Sequence, residues 1–518
     1  MTLPVRLAEV VPGARRAAAA LLLVAAATRA AVAEPAHRAG SRQSFENGII
    51  GLTVSAQGWD QDRPWAKGAP QARMALATVV DGPYLLTTAQ MVSDATLIEA
   101  EKLGGSVRVP ARVVLVDPEV DLAILSVDAP KFFDDLKPVS MASSVPTEGS
   151  VQSVRWRLRQ IEASTSRVSR VEVQVTSLGG LEHPFLLVTT DLRGGGWAEP
   201  VFADGRFVGL TVSQDEQVAR ILPVDIINNF LDMARGSKPY PGFASLGVRW
   251  QINEDPVLTA SLRLPGDPHG VLVTGANWGG SACGVIRPRD LLLALDGHDI
   301  DASGYYRHPR YGLLRFTTIT TDGHRAGETI KAEVWRDGKD VKLDLPLKAA
   351  HTPGDLIPDR VPEQPPPYLV AGGLVLRELD GNYLRSWGDD WRRKAPIRLQ
   401  LRYWLDSKDQ EPGARRIVIL SSVLPHAYNI GYHGLSDVAV TEINGRPIDS
   451  IAAAEEAFKH PEGDFHRIVL EPNGQMAQVI LDAGTFDAAT AEIQESYRVP
   501  APVRTASPPP DLGAACGG

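Results

Sequence analysis

The sequence predicts a mainly β protein in which a β-barrel unit precedes two copies of a smaller α+β module. Three observations carry this expectation. Short apolar or alternating segments separated by turn residues fill the stretch from about Asn47 to Ser213. Further on, an Asp-Gly or Asn-Gly step leading into a β segment occurs twice, at Leu295-Asp296-Gly297-His298-Asp299-Ile300 and Ile443-Asn444-Gly445-Arg446-Pro447-Ile448. The 47 glycines and 39 prolines supply the many turns that such a chain needs.

In order, the first unit offers strands at Met74–Val80, Tyr84–Thr88, Val107–Val116, Leu122–Val127, Val171–Ser177 and Phe185–Thr190. A hairpin turning at Asp204-Gly205 follows. Pro223–Arg235 then has the apolar spacing of a helix, through Val224, Ile226, Ile227, Phe230 and Leu231. Strands closed by one helix predict a barrel over residues 45–236. A Gly/Ser/Pro linker leads to a second unit, 243–348, with strands at Val271–Thr274, Leu291–Leu295, Thr329–Arg336 and Val341–Leu345. A Pro-rich linker covers 349–367 and a third unit 368–484, with strands at Ile417–Leu420, Val438–Asn444 and Arg467–Glu471; residues 485–518 read as a tail.

Other features bound the function. At 518 residues the chain exceeds one ordinary core, and a net charge of −9 argues against a nucleic-acid binder. Arg6, Arg15 and Arg16, the run Ala17–Ala27 and the Ala31-Val32-Ala33 step read as a cleaved signal peptide over residues 1–33, hence a periplasmic or secreted protein with no membrane span in the mature chain. Cys283 and Cys516 read as a buried small residue and a tail residue, not a disulfide framework. No zinc, P-loop or dinucleotide signature occurs, so neither metal nor cofactor is expected.

Three stretches carry a family resemblance. Tyr84–Val92 (YLLTTAQMV), Val116–Ser126 (VDPEVDLAILS) and Gly194–Gly209 (GGGWAEPVFADGRFVG) resemble, in order and spacing, the catalytic histidine, aspartate and serine loops of the HtrA/Deg serine proteases. The third unit resembles the second PDZ domain of the plant-type Deg branch, through Gly373-Leu374-Val375, Tyr383-Leu384, Trp387-Gly388-Asp389-Asp390-Trp391 and Asn429-Ile430-Gly431-Tyr432. The resemblance implies a chymotrypsin-like double β-barrel followed by two PDZ-like α+β domains, and a homo-oligomer such as a trimer.

Residue by residue, it also implies a degenerate triad. Gln90 stands at the histidine position, Asp121 at the aspartate position and Trp197 at the serine position. An amide has no titratable lone pair near neutral pH, and an indole offers no nucleophile. Between His37 and His269 the only histidine is His183, in an expected loop, and no serine occurs from Leu192 to Val212. Gly195 matches an oxyanion-hole glycine, and Glu199 replaces a family glycine. Leu246-Gly247-Val248 matches the loop with which PDZ domains capture a peptide's C-terminal carboxylate, and Gly372-Gly373-Leu374 takes the equivalent place in the third unit. The expected function is an exported pseudoprotease that binds peptides, C-terminal segments or unfolded proteins as a scaffold or chaperone. The competing readings are a PDZ-regulated serine endopeptidase and a regulatory subunit of an active paralogue.

Overall fold

The computed structural model describes residues 47–506 apart from 104, 106, 130, 158–159, 195–196, 237–238, 351–354, 360–362, 389, 406–414 and 473–475. The expected signal peptide, Gly195 and Cys516 lie outside the described residues.

Two closed six-stranded barrels form the first unit. Strands β1 (Ile49–Ala56), β2 (Gln71–Val80), β3 (Tyr84–Thr87), β4 (Ala95–Lys102), β5 (Arg108–Asp117) and β6 (Leu122–Val127) close in the order β1-β2-β3-β6-β5-β4. Strands β7 (Ser150–Arg157), β8 (Gln160–Val175), β9 (Glu182–Thr189), β10 (Glu199–Ala203), β11 (Arg206–Asp215) and β12 (Val218–Pro223) close as β10-β11-β12-β9-β8-β7. Alternation explains the interior: Ile50, Leu52 and Val54 of β1 fill the first barrel, while Ile49 faces the seam and joins Val201 and Phe202 of the second. The helix Val224–Gly236 seals the second barrel with Ile227, Phe230 and Met233, all buried.

The Asp-Gly and Asn-Gly steps are two-residue hairpin turns. Asp204-Gly205, Asp296-Gly297 and Asn444-Gly445 all have positive φ and join directly paired residues, as in Ala203↔Arg206. Two consecutive left-handed residues match the twist of the flanking strands, which is why these sequences fix register.

In the second unit the strands Val248–Gln251, Val271–Ala276, Leu291–Leu295, Thr329–Arg336 and Lys339–Pro346 form one antiparallel sheet in that order. The unit is clasped to the second barrel: Asp225 accepts from Arg310 and Tyr311, and Glu182 accepts from Arg315 and Thr317.

The third unit differs from its expected bounds. Its sheet runs Gln478–Asp482, Phe465–Leu470, Val438–Ile443, Val418–Val423, Leu374–Glu378, Tyr368–Ala371 and Val503–Arg504. The strand Val503–Arg504 and the helix Phe486–Tyr497, whose Ile493 is fully buried, therefore belong to the unit, not to a tail beginning at 485. Ile357 is buried among Leu379, Tyr383 and Leu384, so the unit also reaches into the expected linker. Burial of apolar residues fixes these limits where composition suggested others. The β1–β2 loop of the first barrel docks here: Trp65 packs against Tyr368, Arg504 lies over Trp59, and fully buried Arg377 donates to the Gln61 carbonyl at 2.8 Å.

Candidate functional site

At the seam between the barrels, the retained carboxylate is still in place. Asp121 is fully buried just before β6 with φ at 52°, a left-handed conformation that a short hydrogen-bonding side chain tolerates. Its Oδ1 accepts the backbone N–H of Gln90 at 2.7 Å, and its carbonyl accepts the N–H of Ala89 at 3.2 Å. The single-turn helix Ala89–Val92 thereby holds residue 90 beside the carboxylate, as orienting an imidazole would require. The side chain at that position is an amide, and its Oε1 accepts from the Ser177 hydroxyl.

Trp197 lies in the β9–β10 loop and is 37% exposed. Ala198 after it is fully buried at φ 56°, and its N–H donates to the Thr211 carbonyl at 2.8 Å. Glu199 opens β10 with its carboxylate buried in a two-pronged pair with Arg155, at 2.5 and 2.9 Å, and Arg155 reaches Gln214 Oε1 at 2.7 Å. Such a pair out of water holds both side chains in one geometry. Arg155, Gln214 and Ser177 carry no motif, so sequence comparison passes over them.

His183 is in strand β9, not in a loop as expected. It is fully buried, its Nε2 donates to the Glu119 carbonyl at 3.1 Å, and its ring stands edge-on to Phe243. Burial disfavours the charged ring and pulls its pKa down to about 4, so it is neutral at pH 7. Its Nδ1 has no partner among the described residues. Among the described residues no imidazole is hydrogen-bonded to a serine, threonine or cysteine side chain.

A second candidate site lies in the second unit. Leu246-Gly247-Val248 leads into the edge strand Val248–Gln251, which among the described residues pairs only with Val271–Ala276. Gly247 has φ 68°, and a Cβ there would stand 3.3 Å from the Gly280 Cα. The loop's carbonyls are taken, Leu246 by Ala282 N–H at 3.0 Å and Gly247 by Asn277 N–H at 2.7 Å. The N–H groups of Leu246 and Gly247 donate to none of the described residues. Within that strand, Trp250 packs edge-on against Phe316 of the 3-10 helix Phe316–Thr320, ring centres 5.1 Å apart. Cys283, one residue beyond Ala282, is partly buried.

The equivalent loop of the third unit is closed. Gly372 and Gly373 form the turn between Tyr368–Ala371 and Leu374–Glu378, and neither strand is an edge. Gly372 N–H donates to Thr490 at 2.9 Å, Gly372 O accepts from Asn429 at 3.0 Å, and Gly373 O accepts from Leu424 N–H at 2.7 Å. A peptide carboxylate finds no open donor at Gly372.

Paired six-stranded barrels with this seam, followed by an edge strand behind a glycine loop, define a trypsin-like domain carrying PDZ-type modules. A PDZ-domain family model matches residues 357–505. Arabidopsis thaliana "Putative protease Do-like 3, mitochondrial" is 23% identical over 85% of this chain and 76% of its own length. "Protease Do-like 2, chloroplastic" from the same plant is 25% identical over 79% of this chain and 67% of its own. Among solved structures, "HtrA-type protease AlgW with tripeptide" gives a TM-score of 0.47 at 18% identity, covering 60% of this chain and 96% of that one. The chain is thus similar to HtrA/Deg proteases, and its likeness to the plant relatives fits the plant-type Deg branch.

Proposed function

We propose that this protein is an exported, peptide-binding member of the family that does not cleave its ligands. One observation carries the reading: the positions that resemble the triad hold Gln90, Asp121 and Trp197, with Asp121 Oδ1 accepting the Gln90 N–H, so an amide and an indole stand where an imidazole and a hydroxyl are needed. Without a base and a nucleophile no acyl-enzyme forms, whatever donors surround the cleft. His183 is no substitute, since its only bonded nitrogen donates to a backbone carbonyl.

What supports a retained function is the second unit. An extended peptide adds beside Val248–Gln251, and its terminal carboxylate takes the N–H groups of Leu246 and Gly247. A scaffold or chaperone role, as a homo-oligomer or beside an active paralogue, follows from such binding.

The names of the relatives favour a second reading, a PDZ-regulated serine endopeptidase. A fluorophosphonate probe separates the two, because it labels only an activated serine. No labelling above a heat-denatured control, together with intact casein after prolonged incubation, is the expected result. Labelling that maps to any serine overturns the proposal.

A further inference from the structure

The third unit carries an apolar helix face that nothing among the described residues covers. In the helix Ile397–Leu405, Ile397, Leu401, Trp404 and Leu405 are 65%, 49%, 54% and 67% exposed, while Leu399 is buried. At 100° per residue the four exposed apolar positions share one arc of about a third of the circumference. Arg398 and Arg402 follow that arc on one side. Trp404 stacks on Trp391 at 6.2 Å, and Arg392 lies over both rings.

Charge decides what suits this face. From Trp391 to Leu405 the sequence has five basic residues, Arg392, Arg393, Lys394, Arg398 and Arg402, and no acidic one, in a chain of net charge −9. Arg393 pairs with Asp390 and Arg402 with Glu471. Arg392, Lys394 and Arg398 are exposed and have no carboxylate partner among the described residues. A second copy docking face to face by a twofold axis would set like charges opposite one another.

We propose that this patch rests on an anionic lipid surface. An apolar arc beside basic side chains, with tryptophan at its margin, is the composition of a helix lying in the membrane interface. Nine residues of helix span about 13 Å, far short of the roughly 30 Å hydrocarbon layer, so the helix lies flat and does not cross. The apolar side chains enter the headgroup boundary while Arg392, Lys394 and Arg398 meet lipid phosphates.

The test is flotation of the full chain with vesicles of phosphatidylcholine alone or with a quarter phosphatidylglycerol. Binding to the anionic vesicles only, weakened by added salt, is expected. Each basic residue near such a surface strengthens binding about fivefold. Replacing Lys394→Glu with Arg398→Glu should therefore weaken binding by at least about tenfold. Leu401→Glu, at an exposed position, should do the same without changing the circular dichroism spectrum. Absence of flotation with the anionic vesicles, or equal flotation with neutral ones, overturns the proposal. So does a Leu401→Glu protein that still floats but has become a smaller oligomer, since the face then meets a second copy.

Discussion

Lowering the pH tests the environment of His183 and, with it, whether the first unit holds a usable base. Its folded pKa of about 4 lies below the ordinary 6.5 because burial disfavours the charged ring. A gap of about 2.5 units at 1.36 kcal/mol each is about 3 kcal/mol. The sign follows from which state binds the proton first. As pH falls the unfolded chain protonates this residue near 6.5 while the folded one resists. The stability is therefore complete above about 6.5 and is lost as pH falls toward 4. Between pH 7 and pH 5 the loss from this residue is about 2 kcal/mol. Urea unfolding of wild type and His183→Phe at both pH values isolates it, because the other titrating groups, buried His466 included, cancel in the difference. Phenylalanine keeps a ring against Phe243 and forgoes only the bond to Glu119, costing about 1 kcal/mol. Wild type should lose about 2 kcal/mol more than the variant on acidification. Equal losses would show that His183 titrates normally, refuting the buried, neutral assignment and reopening it as a base.

Gly247→Val should weaken binding of a free C-terminal peptide at least tenfold from an affinity on the order of micromolar, and amidating the peptide should do likewise; calorimetry reads both. Gly373→Ala should cost on the order of 3 kcal/mol in denaturant unfolding, because its Cβ would stand 2.2 Å from Asn429 Nδ2 and 2.8 Å from the Leu424 carbonyl at φ 86°. Gly463→Ala, with φ 62° and nothing within 4 Å, should cost only about 1 kcal/mol. Glu199→Ala strands a buried guanidinium and should cost about 3–5 kcal/mol, whereas Arg155→Met with Glu199→Leu should be near neutral by thermal melting and urea unfolding.

Local chemistry made much of the fold legible. Leu122–Val127, Leu291–Leu295 and Thr329–Arg336 have their expected bounds, since apolar or alternating runs between turn residues define them. The sequence pattern shows the strand Gln160–Val175 only from Val171, because its first ten residues, QIEASTSRVS, form a half-exposed ribbon with few apolar side chains. The helix Phe486–Tyr497 leaves little pattern in the sequence because Phe486, Ala489 and Ile493 are its only buried residues. At the seam, residue identity alone exposed Gln90 and Trp197, since chemistry forbids their roles. The Arg155–Glu199 pair joins residues 44 apart in the chain and could come only from coordinates.

That pair bears on whether the triad can be rebuilt. Gln90→His restores an imidazole where Asp121 already holds the backbone of residue 90 at 2.7 Å, so the base half needs little rearrangement. Trp197→Ser restores a hydroxyl, but the backbone after it is committed. Ala198 is buried at φ 56° with its N–H on Thr211, and Glu199 is anchored by Arg155. In a trypsin-like site the oxyanion donors are the N–H groups of the nucleophile's own residue and of the residue two before it, here positions 197 and 195, so a backbone pinned at 198 and 199 limits how residue 197 can be presented. Misplacing one such donor costs about 100- to 1000-fold in turnover. The double variant should therefore react with a fluorophosphonate probe detectably, yet turn over an ester substrate at least about 100-fold more slowly than an active HtrA protease. Adding Glu199→Gly with Arg155→Met frees the loop and should recover part of the deficit. Full turnover by the double variant alone would refute the proposal that the loop, as well as the residues at 90 and 197, keeps this protein from cleaving its ligands.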